Sequence, residues 1–161
     1  TKGLASIYFK SDDKYVRTIG GEKVIEFKGI VCFGKDTLIK TDQGEIIIQD
    51  LDKKTNTING LKILEITKQY AHGQKINLYR INAHALGYNL PERDTIMTGE
   101  HKILFNGKMQ KLDIIYLLKL RNKITKLEYK GEALYNILLE KYDNVFANGL
   151  EAETIEIKYI N

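Results

Sequence analysis

The fold is decided by one stretch that begins at a cysteine and runs CFGKDTLIKTDQGEIIIQDL from Cys32 to Leu51. Residues 37–41 and 45–48 within it are rich in aliphatic and β-branched side chains, and the turn-forming letters DQG at 42–44 separate them. Two short segments of this kind on either side of a glycine-containing turn are typical of a β-hairpin. The stretch therefore predicts a pair of antiparallel strands shortly after a cysteine.

The rest of the chain continues this pattern of short strands and turns. Further strands are predicted at residues 23–27, 62–67, 76–81, 102–105, 108–110, 133–139 and 145–147. The leucines of the segment 133–139 would also suit a helix. Asn106-Gly107 favours the type I′ turn that matches strand twist, and a turn is also predicted at Gly20-Gly21. One short helix is predicted at 113–119. The regular spacing of turns indicates an all-β domain.

A short pattern occurs twice in the chain. Gly44 is followed at Asp50 and Leu51 by an aspartate and an aliphatic residue, with five residues between the glycine and the aspartate. The segment 107–114 repeats this spacing, and each copy follows an apolar strand and a turn. We therefore expect a duplicated β subdomain with pseudo-two-fold symmetry.

Composition excludes several classes of protein. The chain has 161 residues, with 43% hydrophobic and 29% charged residues, which fits one soluble globular domain and not a disordered chain. The net charge is 25 − 21 = +4, which is too small to suggest a nucleic-acid-binding arm. No run is long and apolar enough for a membrane span, and no signal peptide opens the chain. Because the chain begins at Thr1 and not at Met, we expect a fragment or a processed product.

The single cysteine, Cys32, has two interpretations. Because the chain has one cysteine, an internal disulfide and a cysteine zinc site are excluded. A lone cysteine is most often a small buried hydrophobic residue. The alternative is a nucleophile, which needs a nearby acid or base. His101 is the candidate partner, because Thr98 lies three residues before it and could orient a carbonyl while the imidazole handles the proton. His72, in a predicted loop, and His84 are not preceded by such a threonine, and a structural or solvated role is expected for them.

Three segments together resemble the motifs of Hint domains, the hedgehog/intein family. The segments, in the family's order, are CFGKDTLIKTDQGEIIIQDL at 32–51, TGEH at 98–101, and YNI with ANGL at 135–137 and 147–150. Residues 85–91 and 150–154 look most like the branch found in bacterial and viral multidomain proteins. The resemblance implies the all-β Hint horseshoe fold, built from two duplicated subdomains, over residues 32–161. Residues 1–31 would then be an N-terminal, extein-like flank.

The resemblance also implies a reaction. Cys32 would attack the carbonyl carbon of Val31, so that the Val31–Cys32 amide becomes a thioester by an N-to-S acyl shift. His101 would protonate the leaving nitrogen, and Thr98 would hold the carbonyl oxygen or orient His101. Asp94 and Asp36 are candidates for a proton relay by their positions in the sequence, although a turn or surface role is the commoner one for such carboxylates.

The closing motif departs from that of splicing inteins. Asn136 and Asn148 lie in segments that match it and are candidate supporting residues. Splicing inteins carry a His-Asn pair just after the Asn-Gly turn, and here those places hold Glu153 and Thr154. The final pair is Ile160-Asn161, without a histidine, and the histidine usual before the turn is replaced by Tyr142 or Asp143. We therefore expect cleavage at Val31–Cys32 without splicing.

The expected partners are few. The substrate would be the chain's own upstream polypeptide, and water or a small nucleophile would resolve the thioester in a single turnover, with no cofactor and no metal. No specific nucleic acid and no membrane span are expected, and a reducing compartment or a virion would both suit the chain. Two other interpretations stay open. One is a catalytically silent Hint-fold structural or binding module of a larger, possibly viral assembly, and the other is an unrelated β module in which Cys32 is buried and His101 incidental.

Overall fold

The computed structural model of the chain describes residues 4–9, 14–19, 22–28, 30–71, 75–118, 120 and 122–159. Side chains are described for residues 30–71, 75–118, 120 and 122–156. The predicted turn at Gly20-Gly21, the loop at His72 and the final pair Ile160-Asn161 lie outside the described residues.

The described part of the chain consists mainly of short antiparallel strands, which confirms the predicted all-β class. The strands are β1 (Leu4–Phe9), β2 (Lys14–Ile19), β3 (Glu22–Lys28), β4 (Leu38–Thr41), β5 (Gly44–Ile47), β6 (Thr57–Ile58), β7 (Leu61–Gln69), β8 (Leu78–Ile81), β9 (Thr95–Thr98), β10 (Lys102–Phe105), β11 (Lys108–Lys111), β12 (Ile124–Leu127), β13 (Leu134–Leu139), β14 (Asn144–Ala147), β15 (Leu150–Glu153) and β16 (Ile157–Tyr159). Two short helices accompany them, a 3₁₀ helix at Ile48–Asp50 and α1 at Leu112–Leu118.

A six-stranded sheet contains both copies of the repeated pattern. Its strand order is β11-β10-β15-β14-β4-β5. The predicted hairpin β4–β5 therefore lies at one edge and the hairpin β10–β11 at the other, with the hairpin β14–β15 between them. A short helix follows each edge hairpin. This arrangement agrees with the predicted duplication and its pseudo-two-fold symmetry.

Two three-stranded sheets meet at the segment that carries the cysteine. Their orders are β12-β8-β9 and β13-β7-β6. Phe33 forms an isolated antiparallel bridge to Met97 in β9 and another to Tyr135 in β13. The chain just after Val31 thus occupies the position of a strand between the two sheets. Because a strand in that position is paired on both sides, its backbone is held more firmly than a surface loop.

A fourth sheet pairs the upstream segment with the last described strand. The order is β1-β2-β3-β16, and β3 pairs with β16 in the register Glu26 to Ile157 and Val24 to Tyr159. The strand predicted at 23–27 is thus confirmed within β3. The predicted division into a flank of residues 1–31 and a domain of residues 32–161 stays a prediction.

The core consists of two clusters of buried apolar side chains. The larger one lies among the six-stranded sheet, the three-stranded sheets and the short helices, and includes Phe33, Ile39, Ile103 and Val145. The smaller one contains Ile30, Cys32, Ala71, Leu78 and Leu134. The cysteine and the residue two positions before it therefore pack into the same apolar cluster.

Two elements of ambiguous sequence are now assigned. Residues 134–139 form β13, and all six are buried, so this segment is a strand and not a helix. The predicted short helix is α1, although Lys119 lies outside the described residues. At the hairpin β10–β11, Asn106 and Gly107 have φ of +52° and +80°, as a type I′ turn requires. None of the described helices has the length and hydropathy needed to span a bilayer.

The sequence prediction missed several strands, among them β9 and β12. Both have only four residues, and β12 is interrupted by a lysine in the sequence ITKL. They form because β8 lies between them and pairs with both, in the registers Ile81 to Thr95 and Ile81 to Ile124. Pairing with a neighbouring strand outweighs weak local propensity in such segments.

Candidate active site

The Val31–Cys32 peptide bond is buried between β9 and β13. Val31 is 5% exposed and Cys32 is fully buried. The amide of Phe33 donates to Tyr135 O at 2.7 Å on one side, and the amide of Thr98 donates to Cys32 O at 3.0 Å on the other. The backbone after the bond is therefore fixed from both sides.

A glycine permits this close approach of the segment to β9. Gly34 donates its amide to Ile96 O at 2.8 Å. A Cβ atom at this position would lie 2.8 Å from the Cβ atom of Ile96, closer than two carbon atoms can pack. The glycine of the opening motif is thus needed for space, which allows the hydrogen bonds beside Cys32 to form.

Thr98 contacts the nitrogen side of the Val31–Cys32 bond. Its Oγ1 accepts the amide hydrogen of Cys32 at 3.0 Å and donates to Ile30 O at 2.7 Å. One hydroxyl can do both, because it has one hydrogen and two lone pairs. The sequence prediction offered the carbonyl oxygen of Val31 or His101 as the partner of Thr98, and the structure instead places its hydroxyl on the amide nitrogen of Cys32.

Asn136 contacts the carbonyl side of the same bond. Its Nδ2 donates to Val31 O, and the side chain is fully buried. The amide of Ile137 donates to Oδ1 of Asn136 at 2.7 Å, which fixes the orientation of the carboxamide with its N–H groups toward Val31. Asn136 was a candidate supporting residue, and it is the side chain that reaches the carbonyl oxygen.

His101 lies fully buried beside the same segment. Its ring is 4.3 Å from the ring of Phe33, centroid to centroid, and its Nε2 is 2.8 Å from Glu153 O. Because a carbonyl oxygen only accepts, Nε2 carries the hydrogen and Nδ1 has the lone pair. Nδ1 forms no hydrogen bond of normal geometry with the described residues, although the ring lies beside the backbone of Cys32.

Burial determines the charge of His101. Desolvation lowers the pKa of His101 to about 4, and the contacts with the backbones of Cys32 and Glu153 oppose this shift only in part. The imidazole is therefore neutral near pH 7. A neutral ring with a lone pair on Nδ1 can accept a proton before it donates one.

The turn that carries Thr98 and His101 is anchored on Asp113. The amide of Asp113 donates to Gly99 O at 2.9 Å, and its Oδ1 accepts from Tyr79 Oη at 2.7 Å. Burial raises the pKa of Tyr79, which keeps this hydroxyl protonated as the donor. A Cβ atom on Gly99 would lie 2.1 Å from Oδ1 of Asp113, so any larger residue there would displace this carboxylate.

One side chain that the sequence prediction missed contacts the sulfur. Gln69, the last residue of β7, donates from Nε2 to Sγ of Cys32 at 2.8 Å. It is separated from Cys32 by 37 positions and lies in no motif. Only the pairing of Gln69 with Leu134 in β13 brings it next to the segment that carries Cys32, and that register is not visible in the sequence.

The remaining candidates lie elsewhere. Asp94 is exposed and accepts from the amide of Ala83, and Asp36 is exposed and accepts from Gln49 Nε2. Their described hydrogen bonds stabilise loops, and neither carboxylate has a described hydrogen bond to the fully buried Cys32. Asn148 sits at the β14–β15 turn with φ of +49°, where its side chain bonds the amide of Leu38 and Oγ1 of Thr95. Asn148 therefore connects the β14–β15 turn to β4 and β9.

The region that matches the closing motif is also buried. Glu153 is 7% exposed, its Oε1 accepts from the amide of Lys102 at 3.0 Å, and burial raises the pKa of its carboxyl. The hydroxyl of Thr154 donates to Asp143 O at 2.6 Å. Where splicing inteins carry His-Asn, this chain therefore has a carboxyl and a hydroxyl that already have backbone partners.

Among the residues that the structure describes, no three histidine, cysteine or carboxylate side chains lie close enough together to hold a metal ion. Among the described residues, the groups that converge on the Val31–Cys32 bond include two carboxamides, a hydroxyl, a thiol and a neutral imidazole. They can polarise a carbonyl group, hold a sulfur atom in place and move a proton.

Comparison with known proteins places these features in a family. A family model described as the Hint domain matches residues 31–158, which is most of the chain. A crystal structure of a variant of the Ssp DnaB mini-intein is similar with a TM-score of 0.51 and 16% sequence identity, over 81% of this chain and 98% of that chain. At that identity the likeness shows the fold alone. No curated protein sequence matches the chain. The family match extends over the cysteine, the Thr-x-x-His turn and the closing segment, and the chain belongs to the Hint domain family.

Proposed function

We propose that this Hint domain cleaves its own chain at Val31–Cys32 through a thioester, without splicing. The observation that carries the proposal is that separate side chains engage the two ends of one peptide bond. Asn136 donates to Val31 O, and Thr98 accepts from the amide of Cys32. An ordinary buried peptide group is satisfied by backbone partners, whereas this one faces two side chains of the kind that stabilise a reacting amide.

The proposed first step moves the acyl group from nitrogen to sulfur. Sγ of Cys32 forms a bond to the carbonyl carbon of Val31, and the C–N bond between the two residues breaks. The negative charge that develops on Val31 O is stabilised by the N–H group of Asn136. The nitrogen of Cys32 leaves as a primary amine, and Val31 is then joined to Cys32 through a thioester.

His101 handles the proton in this proposal. The neutral ring accepts the thiol proton on Nδ1 and returns a proton to the leaving nitrogen of Cys32. This order suits a group whose pKa is about 4, since such an imidazole is unprotonated when the reaction begins. Water or another nucleophile then breaks the C–S bond, which releases residues 1–31 and restores the thiol.

Splicing is not part of the proposal. It would require an asparagine that cyclises beside a histidine near the closing turn, and Glu153 and Thr154 occupy those positions. The Nε2 atom of His101 contacts Glu153 O, so the end of the domain lies near the site without the side chains for that step.

One observation favours a second candidate function, a silent structural module. Cys32 is fully buried in an apolar cluster, and an external nucleophile would need some movement of the chain to reach its sulfur. A Hint domain of this kind would keep the fold and leave the Val31–Cys32 bond intact.

Treatment with nucleophiles tests the choice between these functions. We expect hydroxylamine or dithiothreitol to release a fragment that ends at Val31, together with a fragment that begins at Cys32. Both reagents attack thioesters far faster than amides, so release reports the acyl shift. Intact-mass measurement of the incubated chain identifies both products.

The same measurement has two outcomes that would contradict the proposal. If no fragment formed at any concentration of thiol or hydroxylamine, the silent module would be the better description. A product with a C-terminal succinimide would show that an asparagine cyclises and that the closing segment has been misinterpreted.

Replacing Asn136 with alanine should slow nucleophile-dependent release by about 10²–10³-fold, the usual effect of losing one oxyanion donor. The change removes the donor to Val31 O and leaves Cys32, Thr98 and His101 in place. The release rate is followed by mass spectrometry at fixed hydroxylamine concentration.

A matched asparagine serves as the control. Asn144→Ala removes a partly buried carboxamide that bonds Glu151, so it tests for a general loss of stability. Asn136→Ala also leaves the amide of Ile137 without its side-chain partner, so circular dichroism must show that the variant is folded. Release at the wild-type rate by a folded Asn136→Ala chain would exclude the oxyanion role.

A further inference from the structure

The sulfur of Cys32 lies within an apolar cluster of side chains. Cys32 is fully buried and packs with Ile30, Ala71, Leu78 and Leu134. Apolar surroundings raise the pKa of a thiol, because the charged thiolate loses its solvation there. A hydrogen bond donated to the sulfur opposes that loss of solvation.

Gln69, at the end of β7, supplies such a contact. Its Nε2 donates to Sγ of Cys32 at 2.8 Å, and its side chain is half-buried at the end of β7. Cross-strand pairing of Gln69 with Leu134 places it one residue along from Tyr135, whose backbone bonds Phe33. The donor is thus fixed relative to Cys32 by backbone pairing, and not only by its own side chain.

We propose that Gln69 is a catalytic residue that donates a hydrogen bond to the sulfur of Cys32, stabilises its thiolate and holds it in position to attack Val31. This inference rests on the proposed function and adds to it a residue outside the family motifs. A carboxamide keeps its hydrogens at neutral pH, so Gln69 is a donor and not the base. The thiol proton goes to His101, as in the step above, and Gln69 neither gains nor loses a proton.

A thiolate titration tests the contact without requiring cleavage. Because Cys32 is the only cysteine, the absorbance of its thiolate near 240 nm can be followed against pH. The same titration of Cys32→Ala is subtracted, since the 10 tyrosines also absorb when they ionise. We expect Gln69→Leu to move the thiol midpoint upward by about one to two pH units, so that about 10–100-fold less thiolate forms at a given pH.

A second variant tests the direction of the hydrogen bond. Gln69→Glu keeps the shape of the side chain but replaces the donor with a carboxylate that repels a thiolate. We expect this variant to raise the midpoint at least as far as Gln69→Leu does. It also keeps the test valid if Gln69→Leu does not fold.

The matched control is another half-buried glutamine. Gln110, in β11, donates from Nε2 to Phe105 O and has no place in the site. Gln110→Leu should leave the thiol midpoint unchanged. The pH profile of hydroxylamine-dependent release should shift with the thiol midpoint in the Gln69 variants, and a purely structural role would lower the rate equally at every pH.

The outcomes separate this inference from the proposed function. An unchanged or lowered midpoint in folded Gln69→Leu or Gln69→Glu would overturn the role of Gln69, whether or not the chain cleaves. A raised midpoint in a chain that releases no fragment would support the sulfur contact while the cleavage proposal failed. Raised midpoints with a shifted release profile would support both.

Discussion

Cys32→Ala is expected to abolish cleavage at Val31–Cys32 completely while the chain stays folded. Cys32 is the only thiol, and no other side chain can form the thioester. The substitution removes one sulfur atom from the small apolar cluster and keeps Cβ, so we expect a loss of about 1 kcal/mol in the free energy of unfolding. Mass spectrometry after hydroxylamine treatment measures cleavage, and urea denaturation measures stability.

Cys32→Ser provides the closest control for the chemistry. The hydroxyl is a much weaker nucleophile than the thiolate, yet it occupies nearly the same space, so its release rate should lie far below wild type but above that of alanine. Cleavage at the same bond in Cys32→Ala would refute the assignment of the nucleophile. If alanine instead unfolded the chain, a purely structural role of Cys32 in the core would gain support.

The sequence was sufficient to predict the strands that carry strong turn chemistry. The hairpins at 42–44 and Asn106-Gly107 are set by local preferences for positive φ at the turn, so no knowledge of the partner sheets was needed. β9 and β12 depend on β8 for their stability, and their short sequences do not identify them as strands. Local sequence preferences therefore predict hairpins well. They predict poorly the strands that form only by pairing with a strand distant in the sequence, as β9 and β12 do with β8.

The same distinction applies to the site. Motif resemblance makes Cys32, Thr98 and His101 the candidates, and the structure places all three beside one peptide bond. The partner atoms could not be predicted, because they depend on the register between strands. Thr98 contacts the amide of Cys32 only because the segment after Val31 pairs with β9, and Gln69 reaches the sulfur only through the pairing of β7 with β13.

The two carboxylates show the limit of reasoning from position. Asp36 and Asp94 lie close in sequence to Cys32 and Thr98, which made them relay candidates. Each is exposed and bonded within a loop, as acidic residues at turns commonly are. Sequence proximity to a motif says little about which side chains face a buried bond.

His101→Ala is expected to slow the acyl shift by about 10²–10⁴-fold, the range for removal of a positioned proton-transfer group. The ring is fully buried beside Cys32, and no second histidine among the described residues is placed to replace it. Hydroxylamine-dependent release gives the rate. His84→Asn is the control, because His84 is exposed with φ of +62°, a conformation that asparagine tolerates.

The charge of His101 adds a prediction about stability. The unfolded chain takes up a proton on this ring below about pH 6.5, whereas burial lowers the pKa in the folded chain to about 4. The unfolded state therefore binds more protons between these values, and the free energy of unfolding falls as the pH decreases from 6.5 to 4. The full contribution is present above pH 6.5 and amounts to about 3 kcal/mol.

Comparing wild type with His101→Ala isolates the contribution of the ring, because the other titrating groups are common to both chains. In wild type the free energy of unfolding should fall more steeply between pH 6.5 and 4 than in His101→Ala, and chemical denaturation at several pH values measures both slopes. Equal slopes would mean that the ring is charged in the folded chain or exposed to water. In that case His101 could not begin the reaction as a neutral base, and the proton would have to follow another route from Cys32 to its own nitrogen. If release by folded His101→Ala also matched wild type, the Thr-x-x-His turn would serve only to hold the segment between β9 and β13 in place.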